Sequence, residues 1–166
     1  MSIAQAMLAE FEHEARTTRK FLERVPEDKL TWKAHEKSNS VGQLALHIAG
    51  VPGGVLQMAI PDTAPLPDFS EGWVQPRNVQ EILDALEQSI QTVRRELPKL
   101  RDEQMQGVWT GTKDGQAALS MPRGMLLRFI MLNHWYQHRG QLGVYLRLLG
   151  TKVPSSYGPS GDELPD

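Results

Sequence analysis

The chain has 166 residues and a mass of 18.7 kDa, the length of one ordinary domain, which can bury roughly 70% of its unfolded surface. Its 40% hydrophobic and 23% charged content is globular, and 18 Lys plus Arg against 20 Asp plus Glu (net −2) argues against a nucleic-acid binder. With no cysteine, disulfides, thiolate nucleophiles, zinc fingers and iron–sulfur ligation are excluded, so any metal must rest on His, Asp or Glu.

The first helix is predicted from Ala4, Met7, Leu8, Phe11, Ala15, Thr18 and Leu22, which recur at spacings of three and four. Ser2 stands where an N-cap belongs, with Gln5 in capping-box register, and Pro26 ends the segment. This stretch also carries Glu10, Glu12, Glu14, Arg16, Arg19 and Lys20, so it lacks the apolar run of a signal peptide. The most apolar run, Met125–Leu132, is broken by Arg128 and too short to cross a bilayer. A soluble, cytoplasmic protein with no membrane partner is therefore expected.

A second helix opens at Ser40, with Gln43 in capping-box register, and continues through Leu44, His47, Ile48 and Val51. Pro52, Gly53 and Gly54 are expected to kink or interrupt it, with a weaker continuation to about Ile60. The proline-rich stretch 61–76 reads as loop. Asn78 caps a third helix whose stripe is Val79, Ile82, Leu83, Leu86, Ile90, Val93 and Leu97. Between Val108 and Leu119 the Asp114–Gly115 pair suggests a turn and a small hairpin.

The longest helix is predicted from about Pro122 to Leu149, closed by Gly150 and Pro154. Residues 151–166 read as an irregular tail packed on the domain formed by 1–150. The expected fold is all-α: a four-helix bundle whose long connections at 61–77 and 101–121 call for at least one crossover.

Five histidines are present, and their helical phase separates them. At about 100° per residue, His134 and His138 fall within about 40° of each other, roughly 6 Å apart along the axis. Their stripe also holds Leu127, Ile130, Met131, Gln141, Leu142, Tyr145, Leu148 and Leu149, so both imidazoles are expected to point inward. His47 lies on the apolar side of the second helix, where a neighbouring helix can oppose it to the pair. Three imidazoles with one open position make a catalytic rather than a closed metal site. On spacing alone, two satisfied core histidines account for the pair more readily than a metal site, and the Glu of an HExxH motif is missing. His13 is expected to face solvent and His35 to sit in a polar loop.

Three stretches together resemble one family. LTWKAHEKSNSVGQLALHIA (30–49), NHWYQHRGQLGVYLRLLG (133–150) and VPSSYGPS (153–160) are similar to segments of the DinB-like (DinB/YfiT) superfamily, the most specific piece being a His followed by HxxxHRGQL. The resemblance implies a four-helix bundle with a crossover, commonly a homodimer. It also implies a divalent ion, zinc or nickel first and iron or manganese next, on His47, His134 and His138. Its best-understood members transfer or isomerise with a low-molecular-weight thiol, and others look like metal-dependent hydrolases.

The leading expectation is thus a metal-dependent enzyme that activates a thiol or water for a small-molecule substrate, as a transferase or hydrolase. Gln141 and Tyr145 are candidates for supporting the ligands or contacting substrate, or for plain core lining. The alternative is a non-catalytic metal- or ligand-binding stress-response protein. A third reading is an interaction protein: Leu132, Tyr136, Gly140, Gly143 and Arg147 form a face for a dimer, or for packing on the second or third helix. Gly42, Gly50, Gly53 and Gly54 make no phosphate loop, Ser38 and Ser40 read as caps, and Arg94, Arg95, Lys99 and Arg101 read as a solvated basic face.

Overall fold

The structure, a computed structural model, describes residues 1–68, 70 and 72–164. In chain order the elements are α1 (Ile3–Leu22), α2 (Val41–Ala59), β1 (Thr63–Pro65), α3 (Val79–Glu96), α4 (Asp102–Gln106), β2 (Val108–Lys113), β3 (Gln116–Pro122), α5 (Arg123–Leu126) and α6 (His134–Leu148). A π-helical stretch, Leu127–Asn133, joins α5 to α6 in one continuous rod.

The helix starts follow local chemistry. Ser2 and Ser40 each accept from the backbone N–H three residues on, and Gln5 and Gln43 return the bond to the cap's own N–H. Asn78 accepts from Glu81 N–H at 2.8 Å. These bonds satisfy amides that the first turn leaves without partners. The apolar stripes then set the packing: α2 lies against α3 and α6, and α1 against the same two helices, around a core that includes Phe11, Leu44, Ile48, Leu86 and Trp135.

The fold is mostly helical but not all-α. The Asp114–Gly115 pair takes positive φ at both positions and closes a hairpin of β2 with β3, whose register runs from Val108 opposite Pro122 to Lys113 opposite Gln116. β1, from the stretch read as loop, pairs parallel with β2 with Thr63 opposite Thr110, giving a three-stranded sheet in the order β1-β2-β3. A three-residue strand between prolines leaves no periodicity to detect; its partner is supplied from far along the chain. The fully buried guanidinium of Arg123 holds the sheet end to the helices, donating to Ala59 O, Gln104 O and Asp62 Oδ1, each at 2.6 Å.

Two expectations about the helices are corrected. α2 is unbroken across Pro52–Gly54. Proline has no N–H for Ile48 O, and that carbonyl accepts instead from the indole N–H of Trp135 at 2.8 Å. Gly53 N–H turns to Ser89 Oγ on α3 at 2.7 Å, so the backbone groups Pro52 disturbs find partners on neighbouring helices. The stripe drawn through the last helix also fails at its ends. Ile130 is exposed, because the π-helical stretch turns less per residue than an α-helix and shifts the phase, and Leu148 is exposed as the last residue of α6.

The face assigned to a dimer or to the second or third helix packs on α1 and the tail. Leu132 is buried, Tyr136 O–H donates to Glu10 at 2.9 Å, and a Cβ on Gly143 would lie 3.2 Å from Phe21 and 3.7 Å from Val153. The tail is tied down by Arg24–Glu163 and Arg147–Asp162, both at 2.7 Å. Among the described residues no helix is long and apolar enough to cross a membrane.

Candidate metal centre

His47 comes from the middle of α2, and His134 and His138 from the first turns of α6. The register between these helices is set one residue away on each side, where Trp135 reaches the carbonyl of Ile48. Pro52 thus has a consequence for the site: it leaves free the acceptor to which the helix carrying the histidine pair is fastened. Trp135 also stacks on Phe11 of α1 (centroids 5.3 Å, 22°), so the anchor is braced from behind.

The three imidazoles meet. One ring nitrogen from each of His47, His134 and His138 lies within 4.8 Å of the others. Nε2 of His47 and Nε2 of His134 are 3.1 Å apart. Two nitrogens bound tetrahedrally at about 2.0–2.1 Å stand about 3.3 Å from each other, so this separation suits a shared cation. The rings are nearly perpendicular, with centroids at 4.3 Å for His134–His138 and 4.9 Å for His47–His138. Edges rather than faces converge on the centre, as ligation through ring nitrogens requires.

Electrostatics favours lone pairs over protons. Burial first, then the neighbouring His138 and His134, pushes the His47 pKa down to about 4. His134 is lowered as well, by burial and then by His138. Ligands held neutral in this way, His47 and His134, bind a cation without first having to lose protons.

Around the rings runs a set of polar contacts. His138 Nδ1 lies 3.0 Å from Gln141 Oε1, an acceptor, so Nδ1 carries the proton and Nε2 keeps the lone pair. Gln141 Nε2 donates to Tyr145 Oη at 3.5 Å, and Tyr145 O–H reaches Asn39 O at 3.4 Å, both long bonds. Gln141 is exposed and Tyr145 buried, the latter edge-on to Trp32 at 5.6 Å. His13 and His35 are exposed and lie away from the cluster.

Sequence reasoning missed Trp73. Its indole lies flat on the His47 ring (centroids 3.9 Å, 18°) and edge-on to His138 at 5.6 Å. The loop that carries it is fixed by caps of α2. Gln43, already in the capping box, donates through Nε2 to Trp73 O at 2.8 Å, and Gln75 accepts from Ser40 Oγ–H at 2.7 Å while donating to Leu30 O. A lone aromatic in a proline-rich loop carries no periodic signal; only the capping Gln pointed to this neighbourhood.

Beside the cluster, Arg139 follows His138 into the protein rather than toward solvent. Its guanidinium meets Glu14 at 2.6 Å and Thr18 Oγ1 at 3.2 Å, beneath the rings of Tyr136 and Tyr157. The HRG part of the motif is therefore half site and half anchor to α1.

Fold and site together define a mostly helical protein with a three-histidine cluster of metal-ligand geometry. The DinB family model matches residues 1–164, and the chain belongs to the DinB family. It is 28% identical over 158 residues to the uncharacterized protein YrdA of Bacillus subtilis, covering 94% of this chain and 89% of that one. Its fold is that of a DinB-like protein from Bacillus cereus (TM-score 0.72, 20% identity, 92% of this chain and 97% of that chain). A second DinB-like protein, YjoA from Bacillus subtilis, matches at TM-score 0.67 and 20% identity over 90% and 96% of the two chains.

Proposed function

We propose that the chain binds a divalent cation through His47, His134 and His138 and uses it as a metal-dependent enzyme of the thiol- or water-activating type. The observation that carries this reading is the convergence of three ring nitrogens within 4.8 Å from two separate helices. The donor set fits zinc or nickel, with iron next, since imidazole suits all three, and manganese, which prefers oxygen ligands, last. Three imidazoles are one ligand fewer than a closed tetrahedral zinc site has, and a fourth position for water or substrate is part of this reading. A divalent cation so held lowers the pKa of water or thiol in that position, for water on zinc from about 15.7 to about 7.

The chain's own groups prepare that chemistry. Burial keeps His47 neutral, Gln141 fixes the proton of His138 on the ring edge away from the centre, and Trp73 shields one side from water. With no cysteine in the chain, a reacting thiol comes from a low-molecular-weight cosubstrate. We read the four long helices as a bundle with a crossover; the family resemblance adds a homodimer, and a cytoplasmic location rests on the sequence reading alone.

The test loads the purified chain with zinc and, separately, nickel, then screens small thiols with electrophilic acceptors alongside ester and amide hydrolysis. Turnover that disappears in His134→Ala is expected. A metal-loaded chain inert across the whole screen would instead identify a binding protein without turnover.

A further inference from the structure

We propose that Trp73 is a positioning residue for the cluster, setting the His47 ring by flat stacking where His138 is set by a hydrogen bond. This rests on the metal reading above only for its consequence in affinity; the stacking itself stands on geometry. A ligating histidine ordinarily has its second ring nitrogen bonded to a carbonyl, carboxylate or amide, which fixes the ring plane. His138 has such a partner in Gln141. Among the described residues, the polar contact of the His47 ring is that of its Nε2 with His134 Nε2, on the edge that faces the centre. What fixes the plane of His47 is the indole, 3.9 Å away and tilted by 18°.

The indole is itself held. Trp73 O accepts from Gln43 Nε2 at 2.8 Å, four residues before His47, so one turn of α2 grips the loop and the next presents the ring that the loop stacks on. Gln75 fastens the same loop to Ser40 and to Leu30. Rotating the His47 ring about its Cβ–Cγ bond would break the stack and swing Nε2 away from His134. The indole edge also faces His138, so one side chain limits the freedom of two ligands at once.

The test compares the full-length wild type with Trp73→Phe, Trp73→Leu and Trp73→Ala. Phe keeps a flat ring; Leu keeps apolar cover without one. Zinc affinity by competition with a chelator should fall roughly ten- to a hundredfold in Trp73→Ala and Trp73→Leu, the range for losing a ligand's orienting partner, and recover to within a few-fold in Trp73→Phe. Wild-type affinity in Trp73→Ala, or rescue by Leu as complete as by Phe, would overturn the proposal. A second measurement needs no metal: imidazole NMR of the apo protein, with exposed His13 and His35 as references. The His47 ring protons should lie upfield in wild type and in Trp73→Phe and move downfield in Trp73→Leu. Equal shifts in wild type and Trp73→Leu would refute the stacking, whatever the chain binds. If the wild type takes up no zinc while this ring shift is present, the metal reading fails and the positioning of His47 stands.

Discussion

Removing Glu14 isolates the cost of the buried anchor beside the metal cluster. The pair it forms with Arg139 is 2.6 Å long and almost dry, with side chains 7% and 3% exposed. In Glu14→Ala the guanidinium remains buried without its counter-ion, a situation that ordinarily costs about 3–5 kcal/mol. Arg139 keeps its bond to Thr18 Oγ1, its contact with the Glu14 carbonyl, and the rings of Tyr136 and Tyr157, so the lower end applies, about 3 kcal/mol. For a domain of this length that lowers Tm by roughly 6–12 °C. Urea titration at pH 7.5, with the m-value checked for constancy, gives the free energy directly. The double variant Glu14→Leu/Arg139→Met removes both charges and should regain most of the loss, because the penalty comes from the stranded charge rather than from the missing attraction. A Glu14→Ala loss below about 1 kcal/mol, the scale of an exposed pair, or a double variant as unstable as the single one, would refute the reasoning.

Other substitutions probe separate contacts. A Cβ at Gly53 would lie 2.9 Å from Ser89 Cα, so Gly53→Ala should force α2 and α3 apart and cost about 1–3 kcal/mol by thermal melt, whereas Gly50→Ala, with nothing within 4 Å, should stabilise by roughly 0.5–1 kcal/mol. Trp135→Phe leaves the Ile48 carbonyl without the indole donor, and an expected loss of about 1–3 kcal/mol in urea would be contradicted by unchanged stability. The metal-free protein should weaken as pH falls from about 6.5 toward 4, because the unfolded chain binds a proton at His47 that the folded chain refuses until about pH 4. Above pH 6.5 this contribution is flat; His47→Gln should reduce the slope of the urea midpoint between pH 6.5 and 4.5, and an identical slope argues against a buried neutral His47. Gln141→Leu should weaken zinc binding roughly ten- to a hundredfold at unchanged far-UV helicity, read by chelator competition.

What the sequence made legible was local. Ser2, Ser40 and Asn78 announce three helices because a cap and its partner lie three residues apart, and Asp114–Gly115 announces a hairpin because both positions need positive φ. The trio His47, His134 and His138 was nameable from helical phase and family resemblance, and the structure brings their rings together. What escaped was set by partners distant in the chain. Pro52 reads as a break until Trp135 and Ser89 are known to take up the neighbouring backbone groups. β1 has no pattern of its own and exists through β2. The π-helical stretch before His134 misplaces Ile130, because one helical period does not hold for the whole rod. Trp73 is invisible for the same reason as β1: its meaning lies wholly in what it touches.

Metal stoichiometry across the histidines bears most directly on the central claim. Purified wild type, reconstituted with zinc and freed of excess ion, should carry one ion per chain by elemental analysis, while His47→Ala, His134→Ala and His138→Ala should carry none at undiminished helicity. A histidine variant that still held one ion per chain tightly, or a folded wild type that held none, would contradict it.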